Sequence, residues 1–140
     1  EWRFGINRDV FGDYSFWQKV GRSEIWIAPR GNQPLVCGRL VSFGLLVMRR
    51  EPPRGKPTSI FVQRFGAHAT HNIIDLSLAQ LKRYVRREPI QIDTTLLSDG
   101  DCIVAHGQQI IGCGRFADGS LTNVWPKHMT AVLPNQCPTV

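Results

Sequence analysis

No apolar run in this 140-residue chain approaches the roughly eighteen residues that a membrane-spanning helix needs. The chain opens on Glu1-Trp2-Arg3, without an initiator Met and without a charged-then-apolar leader, as expected of a piece cut from inside a longer polypeptide. Cysteine is sparse: Cys37, Cys102, Cys113 and Cys137 form no C-x-x-C pair and no disulfide frame. Buried thiols in a reducing, cytoplasmic compartment are the expectation. Cys102 with His106, or His68 with His71, supplies two metal ligands at most. Two ligands fall short of a zinc tetrad, so neither metal nor cofactor is expected. Internal repeats and low-complexity tracts are missing as well. Apolar residues at 42% and charged residues at 20% exclude a mainly disordered chain, a collagen and a coiled coil. What remains is one ordinary domain's worth of globular sequence.

Acidic residues are also in short supply. Lys and Arg number 17 against 11 Asp and Glu, a net charge of +6. The excess is concentrated. Residues 39–87 carry ten cations against Glu51 and Asp75, whereas residues 88–140 carry Arg115 and Lys127 against five acids. A basic middle in a near-neutral frame points to a localised anionic partner. Thirteen of the 17 cations are Arg. Its planar fork binds phosphate with two parallel hydrogen bonds and stacks on bases, so nucleic acid is favoured over a membrane surface.

The local patterns alternate short strands with short helices. Asn7 can cap a turn of helix over Arg8 to Phe11, closed by Gly12. Tyr14 to Trp17 is a dense aromatic run, read first as a core staple. Glu24 to Ala28, Leu35 to Arg39 and Gly44 to Met48 read as strands. Glu51 to Pro57, with three prolines and a glycine, reads as a basic surface loop. Thr58 or Ser59 can cap a helix through Arg64, and Asn72 to Leu76 is strand-like.

The clearest helix begins at Ser77, which forms a capping box with Gln80. Leu78, Leu81 and Val85, flanked by Tyr84, make its apolar face, and Lys82, Arg83, Arg86 and Arg87 fill the opposite arc before Pro89. Like charges at this spacing repel, and nothing acidic within the helix offsets them, so an anion-facing surface is expected. The last third is a β pattern. Ile90 to Ile92 is a short strand, Cys102 to Ala105 is another, His106-Gly107 turns, and Gln108 to Phe116 returns with Gly112 and Gly114 inside it. Paired glycines there permit a bulge or a close backbone approach. Asp118-Gly119 is a hairpin signal leading into Leu121 to Val124.

Read together, Gly112-Cys113-Gly114-Arg115-Phe116 and then Gly119-Ser120-Leu121-Thr122-Asn123-Val124-Trp125-Pro126-Lys127 resemble a signature of PUA-like domains. The domains in question close the Sun-type RNA cytosine-C5 methyltransferases, the bacterial 16S rRNA methyltransferase F group among them. Leu81 to Ile90 and Arg64 to Ala69 are similar to two further family stretches. Phe16 to Arg22, Ile25-Trp26 and Gln63 to Leu76 are similar to small archaeal-type relatives that lack the catalytic domain. Thr122 and His128 depart from the usual Lys and Gly, and Arg115 replaces a Lys. The catalytic half of such enzymes needs a Rossmann-like fold with a glycine-rich loop and two cysteines in characteristic motifs. No such unit occurs here, so the resemblance implies the RNA-binding appendage and not the catalyst.

The resemblance implies an α+β fold. A PUA-like β pseudo-barrel occupies residues 76–134, an N-terminal helper region of residues 1–75 packs on it, and residues 135–140 form a tail. The implied partner is structured RNA, rRNA or tRNA, with a ribosome or a methyltransferase catalytic domain nearby and no membrane. Such RNA is held through phosphates and 2′-hydroxyls by several cations on one surface. The candidates are Lys82, Arg83, Arg86 and Arg87 on the helix, and Arg49, Arg50, Arg54 and Lys56 on the loop rim. Arg64, His68 and His71 border the groove between them, and Arg115, Asn123, Trp125 and Lys127 lie near the last hairpin. Protonation of the histidines below about pH 6.5 would strengthen phosphate binding. These stretches are expected to converge into a single cradle. Asn123 serves equally well as a turn cap, and Trp125 as a core-closing ring in place of a base-stacking one. Two other readings stay open. One is a small hydrolase using His68 or His71 with Asp75. The other is a protein-interaction module built on an aromatic patch of Phe16, Trp17 and Trp26.

Overall fold

The structure is a computed structural model that describes residues 3–34, 42–51 and 54–126. Its elements are β1 (Tyr14–Gln18), β2 (Glu24–Pro29), β3 (Leu45–Glu51), β4 (Arg54–Pro57), α1 (Ser59–Phe65), β5 (Ile73–Asp75), α2 (Leu78–Val85), β6 (Ile90–Gln91), β7 (Gly100–His106), β8 (Gln109–Ala117) and β9 (Ser120–Asn123). Short 3-10 turns cover Arg8–Phe11 and Gly66–His68. The expected strand over Leu35 to Arg39 lies outside the described residues.

Two sheets result. The first is an antiparallel meander in the order β1-β2-β3-β4. The second has the order β5-β7-β8-β9-β6, with β5 parallel to β7 and the other pairs antiparallel. The second sheet curls into a half-barrel, and the whole is the α+β, PUA-like architecture that the sequence implied.

One expected loop is a strand. Arg54 to Pro57 pairs with Met48 to Glu51, in the register Met48 to Pro57 and Arg49 to Lys56. Proline content argued against this, but β4 is an edge strand, where a residue with no N–H costs no ladder bond on its free side. The helix caps follow expectation. Thr58 Oγ1 accepts from Phe61 N at 3.2 Å, and the Ser77–Gln80 capping box is closed in both directions.

The central hairpin, β7 with β8, is buried on both faces, which explains the continuous apolar run Cys102 to Ala105. Cys102 and Val104 face Ile74, Tyr84, Leu121 and Trp125. Ile103 and Cys113 face Phe4, Ile27, Val47, Val62 and Phe65. So α2 covers one face of the curled sheet, while the first sheet and α1 cover the other. Phe11, Tyr14 and Phe61 surround Phe65 with ring centroids 5.0–5.6 Å away, which confirms the aromatic run as a core staple at Tyr14.

The apolar face of α2 is centred differently from the heptad reading. Tyr84 is fully buried, and its hydroxyl donates to Cys113 O at 2.8 Å. Leu78 is 53% exposed. The helix contacts β6 and β9. The chain can pass this closely because Gly112 lies under Trp125. A Cβ at Gly112 would stand 2.3 Å from Trp125 Nε1 and 2.9 Å from Cε2.

Two expected outcomes follow from this packing. Gly112→Ala forces the indole or the strand to shift and lowers stability by about 1–3 kcal/mol, the usual cost of overpacking; a urea midpoint equal to wild type would contradict the contact. Burial pushes the Cys102 thiol up to about 12 and also raises Cys113 and Tyr84. Each group is neutral when protonated, so the folded state binds these protons more tightly than the unfolded one. The resulting stability is complete below about pH 8.5, the unfolded thiol value, and falls as the pH rises toward 12. Equilibrium unfolding at a series of alkaline pH values checks the sign.

Candidate nucleic-acid interface

The basic side chains separate into two groups because the curled sheet stands between them. On one side is α2. Lys82 and Arg86 are exposed and hold no carboxylate among the described residues. Arg83 is different: its Nε lies 3.1 Å from Glu88 Oε2, and its Nη2 donates to Pro89 O at 3.0 Å. The pair is exposed and worth little to stability, but it offsets one of the four cations of the arc. Arg87 lies past the helix end in the left-handed region, with φ 63°. From there its guanidinium turns inward and donates to Trp125 O.

Two further candidates are absorbed by the fold. Asn123 Nδ2 donates to Tyr84 O at 2.9 Å, and its Oδ1 accepts from Trp125 N at 2.7 Å, so the amide ties the end of β9 to the end of α2. Trp125 is buried, edge-on to Tyr84 at 5.6 Å, and cannot stack on a base. Lys127 lies outside the described residues.

The other group lies on the far side of β7–β8. The turn between β1 and β2 and the adjoining ends of β3 and β4, Glu51 and Arg54, lie at one end of the first sheet. Glu24 pairs with Arg49, Arg49 pairs with Lys56, and Arg50 N donates to Ser23 O at 2.8 Å. Arg54 stands at the start of β4. Arg49, Arg50 and Lys56 are exposed. So are Lys19 and Arg22 at the neighbouring tip, two cations that sequence reading did not single out. The signal was present as Lys-Val-Gly-Arg between two strands. Its partner tip was hidden by reading Arg54 to Pro57 as a loop.

Arg115 is exposed on β8, directly opposite Asp101 and Thr122 on its neighbours. Arg3, also missed in the sequence, reaches this region: its Nε donates to Asp101 O at 2.7 Å, and its Nη groups bind Ser98. Arg64 is exposed on α1 and donates to Tyr14 Oη at 3.1 Å. His68 is exposed, and His71 Nδ1 pairs with Thr70 Oγ1 at 2.7 Å. The expected single cradle is therefore not formed. The helix arc and the hairpin rim belong to different covers of a sheet buried on both sides.

The hydrolase arrangement is not assembled either. Asp75 Oδ1 accepts from Gly107 N at 2.8 Å, while His71 turns to Thr70. Among the described residues no three His, Cys, Asp or Glu side chains gather as a metal site, and no helix is long and apolar enough to cross a membrane. Of the aromatic patch, Phe16 is 53% exposed, while Trp17 and Trp26 are half-buried.

Arg87→Ala removes a bond to a backbone carbonyl and lowers stability by about 1 kcal/mol or more, whereas Lys82→Ala and Arg86→Ala stay within about 0.5 kcal/mol of wild type. Denaturant melts of the three variants separate the structural cation from the two surface ones.

Residues 71–130 match the protein family described as the Methyltransferase RsmF PUA domain. No curated protein matches the chain significantly. The match begins just before β5 and takes in every strand of the curled sheet together with α2.

Proposed function

We propose that this chain, whose residues 71–130 match the PUA domain of the methyltransferase RsmF, binds structured RNA, rRNA or tRNA, and performs no chemistry of its own. It serves as a targeting module for an RNA-modifying catalytic domain or as a factor that works beside the ribosome. The observation that carries the reading is the match itself, combined with the free cations on α2. Lys82 and Arg86 stand on the solvent face of the PUA helix with no acid to neutralise them. Arg115 adds an exposed cation from the strand that holds the family's Gly-x-Gly. Phosphate contacts of this kind fix position and carry no sequence information, so the target is selected by its folded shape.

Two of the four helix cations make poor phosphate ligands. Arg83 is shared with Glu88, and Arg87 is spent on Trp125 O. The double variant Lys82→Ala with Arg86→Ala therefore reduces the slope of log K against log[salt] by roughly 1.4–1.8 units, at about 0.7–0.9 per phosphate contact. Fluorescence anisotropy with a labelled rRNA stem-loop reads this directly. A slope equal to wild type removes α2 from the interface. Crosslinking the protein to total cellular RNA and sequencing the trapped fragments decides between rRNA and tRNA.

A further inference from the structure

The densest free positive charge in the described residues is not on the PUA domain. It is at the shared end of the first sheet, where the meander places the β1–β2 tip beside the β3–β4 tip. Lys19, Arg22, Arg49, Arg50 and Lys56 are all exposed there. Glu24 is the acid placed among them, opposite Arg49 in the ladder, and Glu51 pairs with Arg54 in register at the neighbouring tip. No carboxylate ion pair holds any of the five exposed cations among the described residues. Five like charges on two adjoining turns repel one another, and the sheet gains nothing in the folded protein from keeping them together. At the outermost point, between Lys19 and Arg22, Val20 is 98% exposed.

We propose that these two strand ends, residues 18–24 with 49–51 and 54–56, form a second RNA-backbone contact, distinct from α2 and on the opposite side of the curled sheet. The proposal rests on the RNA reading above and extends it to a part of the chain outside the PUA match. RNA is favoured over an acidic protein segment by geometry. The β1–β2 tip is a narrow, paired ribbon with Lys19 and Arg22 on either side of the projecting Val20. A ribbon of this shape lies across the wide, shallow minor groove of A-form RNA, placing its cations on the phosphates of both walls and its tip against the 2′-hydroxyls.

The test compares three proteins against the same labelled RNA stem-loop: wild type, Lys82→Ala with Arg86→Ala, and a hairpin variant carrying Lys19→Ala, Arg22→Ala, Arg49→Ala and Arg50→Ala. All six positions are exposed, and thermal melts confirm that each variant stays folded. The hairpin variant is expected to lose roughly three units of salt slope, at about 0.7–0.9 per phosphate, more than the helix variant loses. Val20→Cys carrying a photo-crosslinker is expected to trap the RNA. If wild type binds RNA while the hairpin variant keeps its slope and position 20 traps nothing, the second contact is wrong and the PUA reading stands. If wild type does not bind the stem-loop at all, both fall. If the slope lost by the hairpin variant appears only with anionic vesicles or polyglutamate, the partner is not RNA and the proposal is overturned.

Discussion

Burial of β7 and β8 on both faces is the constraint from which the rest of the molecule follows. A strand pair with Cys102 and Val104 on one side and Ile103 and Cys113 on the other needs a cover on each. On one side the cover is α2 with Trp125. On the other it is the meander with α1, and Gln63 of α1 also donates to Ile111 O at 3.1 Å. Neither cover can be removed without exposing an apolar face. The same requirement decides where charge can go. One cover carries its cations on α2 and the other at the end of the meander, so the two basic surfaces belong to different covers of the sheet.

The closing of α2 onto the sheet explains why several candidate ligand residues became structural. The helix is only eight residues long, too short to be stable alone. It is held by Tyr84, whose ring is buried, whose hydroxyl reaches Cys113 O, and whose carbonyl accepts from Asn123. Arg87 then folds back to Trp125 O from a left-handed backbone, closing the junction between the helix end and the chain after β9. Each of these groups satisfies a backbone atom that burial would otherwise leave unpaired. Asn and Arg suit that work as well as they suit RNA, which is why residue type alone could not separate the two roles.

Local rules reached the elements with strong local signals. The Ser77–Gln80 box, the Thr58 cap, the Asn7 cap and the Asp118-Gly119 turn are all contained within four residues, and all formed. The glycine pair in β8 was legible as a close approach, although its neighbour, Trp125, was not. What failed depended on distance. Arg54 to Pro57 looks like a loop until β3 is beside it, because an edge strand borrows its order from its neighbour. The convergence of the cations failed for a related reason. Sequence shows which residues are basic, but only the two-sided core shows which side of the sheet each cover occupies. Lys19 and Arg22 were passed over because a hairpin tip acquires meaning only when a second tip lies next to it.

Separation of the two surfaces also limits what can occupy them together. Packed layers stand about 10 Å apart, so a face beyond α2 and a face beyond the meander are divided by roughly three layers. A single extended strand laid along one face leaves the other in water. A ligand that touches both must be thick, or must turn back around the edge of the domain, and it must carry negative charge at both places. A folded RNA has phosphates on every side of its helices and meets that requirement without a specific sequence. An acidic peptide does so only by wrapping, with the ordering cost that wrapping carries. The physical separation that overturns a single cradle thus favours a partner with tertiary structure of its own.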